Sequence, residues 1–93
     1  MKITKSNKPK KRYKALFKLE NGKKKTIHFG SSEHSNYTIH KDKERKKRYI
    51  NRHKKRENWN DPLSAGSLSR YILWEKPNLN DSIKFFKSKF GIK

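Results

Sequence analysis

The sequence predicts an α+β fold: an N-terminal β-hairpin, with a candidate third short strand, followed by three α-helices. Three observations carry that expectation. The turn signal Glu20-Asn21-Gly22-Lys23 sits between two runs of alternating polarity. Residues 41–56 contain no Gly or Pro and are rich in Lys, Arg and Glu, which are good helix formers. The last third gathers most of the aliphatic and aromatic side chains into two further helical patterns divided by Pro77.

The hairpin covers residues 12–30, and burial selects its register, because a slip of one residue inverts every side chain. A two-residue Asn-Gly loop separates Ile27 and Phe29 from the face of Tyr13, Ala15 and Phe17. A three-residue loop, with Gly22 in the left-handed conformation, sets Tyr13 opposite Phe29 and Ala15 opposite Ile27, and extends that apolar face through Phe17 and Leu19. The three-residue loop is therefore expected. Arg12, Lys14, Lys18, Lys24 and His28 then share the outer face with Leu16 and Thr26 between them. A basic two-stranded ribbon fits a DNA major groove; an ordinary hairpin with a solvated lysine face is the plainer alternative. The third strand is sought around Tyr37 to Ile39.

Ahead of the hairpin, residues 1–11 are polar, basic and contain Pro9. So few apolar groups do not offset ordering entropy, which predicts a flexible basic arm attached to a single small α+β domain over residues 12–93. The run Lys8-Pro9-Lys10-Lys11-Arg12 suits a phosphate-tracking tail or a nuclear-import patch.

In the helix over 41–56, Asp42 or Thr38 is the expected cap. At 3.6 residues per turn, Lys41, Arg45, Arg48, Arg52 and Lys55 fall on one narrow face, and all five are cationic. Tyr49, Ile50 and His53 form a thin apolar seam on another side. A helix that is merely solvated mixes signs to gain i,i+4 pairs, so an unbroken cationic ridge reads as a phosphate-contacting surface. Arginine also grips phosphate bidentately, and Asn51 and Arg52 are of the types that read base edges. Further on, Asp61 is the expected cap and Pro62 the first residue of a helix over 62–75, with Leu68, Tyr71 and Ile72 buried. The last helix starts near Asn78 or Asn80, and Leu79, Ile83, Phe86 and Phe90 form its apolar stripe.

Composition narrows the function. The chain of 93 residues holds 27 Lys or Arg against 8 Asp or Glu, a formal charge of +19. Cys is absent, which excludes disulfides and thiol chemistry. No run approaches the ~20 apolar residues of a membrane span, and no apolar segment follows Met1 to suggest a secretory leader. Of the 27 cations, 21 lie in residues 1–25 and 41–57. Self-repulsion of this size is relieved by a polyanion. Double-stranded DNA is the expected partner, RNA the alternative, and an anionic membrane surface a poor third. The small core leaves a homodimer open.

The words Tyr37-Thr38-Ile39-His40-Lys41-Asp42-Lys43-Glu44-Arg45, Tyr49-Ile50-Asn51-Arg52-His53-Lys54-Lys55 and Glu57-Asn58-Trp59-Asn60-Asp61-Pro62 resemble a family of small basic proteins of unknown function encoded by giant nucleocytoplasmic large DNA viruses. Leu68-Ser69-Arg70-Tyr71 and Ile72-Leu73-Trp74 fit the same family. The resemblance spans residues 37–90, implies a viral origin and a place in the virion or virus factory, and brings no catalytic residues with it.

A hairpin followed by a helix, with His28, His34, His40, Asn51 and His53, is also loosely similar to the ββα-metal nucleases. Those need a His base and a metal-binding set, whereas these histidines lie among cations with no acidic cluster. No catalytic residue, metal ligand or cofactor is therefore expected. The expected function is non-enzymatic, largely sequence-nonspecific DNA binding that compacts a viral genome, through Lys10, Lys11, Arg12, Lys14, Lys18, Lys24, Lys41, Arg45, Arg48, Arg52 and Lys55. An RNA-binding protein, or a structural virion protein that binds acidic partners, is the alternative.

Overall fold

The computed structural model describes residues 1–92. Three antiparallel strands, β1 (Lys2–Lys5), β2 (Lys11–Lys18) and β3 (Lys24–Ser31), form one sheet in the order β1-β2-β3. The β2–β3 register is the expected one: Tyr13 faces Phe29 and Ala15 faces Ile27. The loop is Glu20-Asn21-Gly22, with Gly22 at φ +83 and the Leu19 amide donating to the Lys23 carbonyl at 2.7 Å.

The expected flexible arm is instead an edge strand and a turn. Lys2 pairs with Leu16 and Lys5 with Tyr13. That register puts Ile3 on the inner face against Ala15, where Met1 and Ile3 pack on the core. Backbone pairing with β2 and the partial burial of Ile3 outweigh the polar composition, which is all a local reading sees. The third strand is thus supplied by the N-terminus. Residues Tyr37–His40 form a single helical turn, α1, capped by Asn36, whose side chain accepts from the Thr38 amide at 3.0 Å.

Helix α2 spans Lys43–His53, shorter at both ends than the expected 41–56. Asp42 caps it by accepting from the Glu44 and Arg45 amides. Asp61 and Pro62 do not start the next helix. The Asp61 carboxylate accepts from the Leu63 amide at 2.9 Å and closes a turn instead. Ser64 is the cap, accepting from the Ser67 amide at 3.1 Å, and α3 covers Ala65–Leu68. The chain continues without a break into a π-helical turn, Ser69–Leu73. Helix α4, Leu79–Phe90, is capped by Asn78 as expected and closed by Gly91 at φ +63.

The core lies between the inner sheet face and the last helices. Ala15, Phe17 and Phe29 meet Leu68, Ile72, Leu73 and Phe86. On α4 the expected stripe is found, with Phe86 fully buried and Leu79, Ile83 and Phe90 packed against the cluster. Gly30 permits one close approach: at φ +79, a Cβ there would come within 2.6 Å of Leu73 Cδ1. None of the described helices is long and apolar enough to cross a membrane.

Helix α2 stands outside this core and is docked by its own contacts. The Tyr49 ring lies parallel to Trp74, with centroids 4.3 Å apart and planes at 3°, and His53 stacks on the other side of Tyr49 at 4.3 Å. Lys46 Nζ reaches Glu75 twice, donating to its carbonyl at 2.8 Å and lying 3.6 Å from its carboxylate. Arg70 approaches the other carboxylate oxygen of Glu75 at 3.6 Å. One acid therefore ties α2 to the end of the π-helical turn.

Candidate nucleic-acid interface

Strand alternation places the first basic surface. Lys14, Leu16 and Lys18 of β2 alternate with the buried Ala15 and Phe17 and so point away from the helices, where Lys14 lies across from His28, Leu16 from Thr26 and Lys18 from Lys24. The register of β1 adds Lys2 beside Leu16 and Thr4 beside Lys14. Lys2 went unrecognised in the sequence because a residue in a supposed arm has no face. The His28 ring sits within this field and its Nδ1 is 2.7 Å from Ser6 Oγ. Desolvation, then Lys8, Lys14 and Lys11, hold its pKa below the ordinary 6.5.

Arg12, expected on this surface, is also engaged within the fold. Its Nη2 donates to the His34 carbonyl at 2.8 Å, which pins the loop after β3. Lys10 sits at the β1–β2 turn in the left-handed conformation, φ +64. Lys11 has the inner parity and turns to the helical side of the sheet.

The second surface is on α2. Arg45, Arg48 and Arg52 share a helix face as the spacing predicts, and none of them forms an ion pair among the described residues, whose pairs are Lys46–Glu75, His53–Glu57 and Arg70–Glu75. The outer two members of the expected ridge are lost. Lys41 is the left-handed residue that closes α1, φ +56, because the chain must turn there before Asp42 can cap α2. Lys55 lies in the turn after α2 ends.

The three arginines border a cleft of about 790 Å³, with Lys11 and Ser31 at the sheet end and Gly66 and Ser69 on the far wall. Tyr49 and Trp74 form its floor. Burial, with Glu57 adding to it, pushes the Tyr49 phenol well above its ordinary range, so it stays protonated. Residues from the loop after β3, from α2 and from the π-helical turn meet here, and no local sequence pattern joins them. The π-helical turn itself is a local irregularity of a kind that recurs beside functional sites.

The histidines are each tied to a structural partner. His34 Nδ1 is 2.8 Å from Ser31 Oγ, and His53 Nδ1 is 3.3 Å from Glu57 Oε1, so His53 belongs to the seam. His40 Nδ1 accepts from the Asp42 amide at 2.9 Å. Its pKa is lowered by burial and by Arg45, against a smaller opposing effect of Asp42. Among the described residues no three His, Asp or Glu side chains gather into a metal-binding set.

The pattern of the family of unknown function DUF5754 matches residues 1–53. The chain belongs to that family. The DUF5754 segment opens ahead of β1 and closes on His53, the last residue of α2, so it contains the whole sheet, α1, α2 and every expected contact residue except Lys55. No curated protein and no solved structure matches the chain.

Proposed function

We propose that the chain is a non-enzymatic DNA-binding protein that compacts a viral genome by neutralising phosphate, largely without regard to base sequence. The observation that carries this reading is the row Arg45, Arg48 and Arg52 on one exposed face of α2, with no acidic partner among the described residues, in a chain of charge +19. An arginine row of one sign destabilises a free helix and is relieved by an anion. The sheet face with Lys2, Lys14, Lys18 and Lys24 provides a second such surface. Binding proceeds by counterion release, as these groups displace condensed cations from phosphates. The viral setting rests on the resemblance of residues 37–90 to small basic proteins of giant viruses.

The non-enzymatic part is supported by the histidines, each held by a neighbouring side chain or amide rather than presented to a substrate. A magnesium-dependent plasmid-nicking assay tests it directly: no cleavage is expected, and cleavage that disappears in His40→Ala overturns it. The binding itself is tested by salt. With about 6–10 phosphates contacted, affinity falls by ~10³–10⁵ between about 50 and 200 mM salt. A flat log–log plot sinks the proposal. RNA is the second reading, which the same charge of +19 suits, and competition among duplex DNA, duplex RNA and single strands at one salt concentration separates the two.

A further inference from the structure

The cleft beside α2 differs from the sheet face in being concave and small. Its volume of about 790 Å³ is that of a pocket for one small ligand, and a duplex does not enter it. Arg45, Arg48 and Arg52 run along one side over ~10 Å of helix rise, and Lys11 faces them from the sheet end. Among the described residues Glu57 is the one acid that lines it, and both carboxylate oxygens are taken: His53 Nδ1 lies 3.3 Å from Oε1, and Trp59 Nε1 donates to Oε2 at 2.8 Å. Gly66 leaves room for that carboxylate, since a Cβ would come within 3.2 Å of it. The sheet-end wall is braced by the Arg12–His34 and Ser31–His34 hydrogen bonds. The floor is an aromatic column, Trp74 on Tyr49 on His53, and His53 ends it with 38% of its side chain exposed.

We propose that this cleft binds one nucleotide unit of a single strand, its phosphate on the α2 arginines and its base against the open side of His53. The assignment rests on the nucleic-acid reading above and narrows it to one site. Guanidinium groups match phosphate bidentately, and an aromatic ring end offers any base a stacking surface. The walls are held by hydrogen bonds before the ligand arrives, so little ordering cost remains at binding.

The test is an amide NMR titration of the full chain with thymidine 5′-monophosphate, thymidine, inorganic phosphate and a short DNA duplex. The monophosphate is expected to shift His34, Tyr49, His53 and Ser69 together, with thymidine and inorganic phosphate each at least about tenfold weaker. Arg48→Gln is expected to weaken the monophosphate about tenfold while leaving the dispersion of the spectrum intact. Equal shifts from inorganic phosphate overturn the nucleotide assignment. Absence of cleft shifts while the duplex binds with a steep salt dependence overturns the cleft and leaves phosphate neutralisation standing. If neither monophosphate nor duplex binds, both readings fall.

Discussion

Two single residues test how tightly backbone and charge are set. Gly30 combines a positive φ with a contact that any side chain would violate, so Gly30→Ala is expected to destabilise the fold by about 1–3 kcal/mol in urea. Gly22→Ala, at a similar φ but facing open space, carries only the backbone penalty of about 1 kcal/mol. Equal losses at the two positions would remove the Leu73 contact as the cause. His28 tests the charge. Its folded pKa lies below the ordinary 6.5, through desolvation and then the lysines around it, so the unfolded chain takes up the proton first as pH falls. Its contribution to stability is complete above pH 6.5 and is lost as pH drops through the folded pKa. His40 has the same sign, from burial and then Arg45. The melting temperature is therefore expected to fall between about pH 7 and pH 5, and His28→Gln together with His40→Gln to flatten that fall. On the proposed reading a bound polyanion offsets the lysine field and draws the proton back onto His28, so affinity for DNA is expected to rise as pH falls over the same interval. Affinity that is independent of pH in the wild-type chain contradicts this linkage.

At the scale of elements, the sharpest test is β1. A flexible arm can be removed without loss, whereas a paired edge strand cannot. Deleting residues 1–5 uncovers Ala15 and frees the β2 edge, with an expected loss of roughly 2 kcal/mol; an unchanged urea midpoint restores the arm. Glu75 tests the docking of α2. Glu75→Ala leaves Arg70, only 12% exposed, without its carboxylate, and is expected to cost about 3 kcal/mol and to raise amide exchange in α2 first. These two elements also mark where the sequence was legible. The β2–β3 register was, because apolar residues on both strands admit one alignment. The α4 stripe and the α2 arginine face were, because a helical period of 3.6 is a local signal. Strand β1 was not: Ile3 alone says nothing until β2 is beside it. The start of α3 was not either, since Asp61-Pro62 and Ser64 are equally good caps on paper and only the Ser67 amide distinguishes them. The cleft draws on segments as distant as Lys11 and Trp74, and no pattern along the chain brings those together.

For the whole molecule, the question is whether the cations act as one surface or two. The α2 arginines and the cleft belong to the helical side of the sheet, and Lys14, Lys18 and Lys24 project from the other. The short axes of the molecule are 27 and 25 Å, well beyond the Debye length of ~8 Å at physiological salt, so on the proposed reading the two sides are expected to act on phosphate independently. Independence has a consequence for compaction, because a protein with one basic face coats a duplex, and one with two opposed faces can hold two duplex segments together. Replacing Arg45, Arg48 and Arg52 by Gln is expected to reduce the magnitude of the log–log salt slope by roughly 3, and replacing Lys14, Lys18 and Lys24 to do the same. Either triple variant should still coat DNA but lose bridging, read as loss of intramolecular looping in a tethered-DNA extension assay at protein concentrations that saturate the duplex. If one triple variant abolishes binding and the other changes nothing, the charge works as a single face. Compaction would then need a second copy of the chain to supply the other.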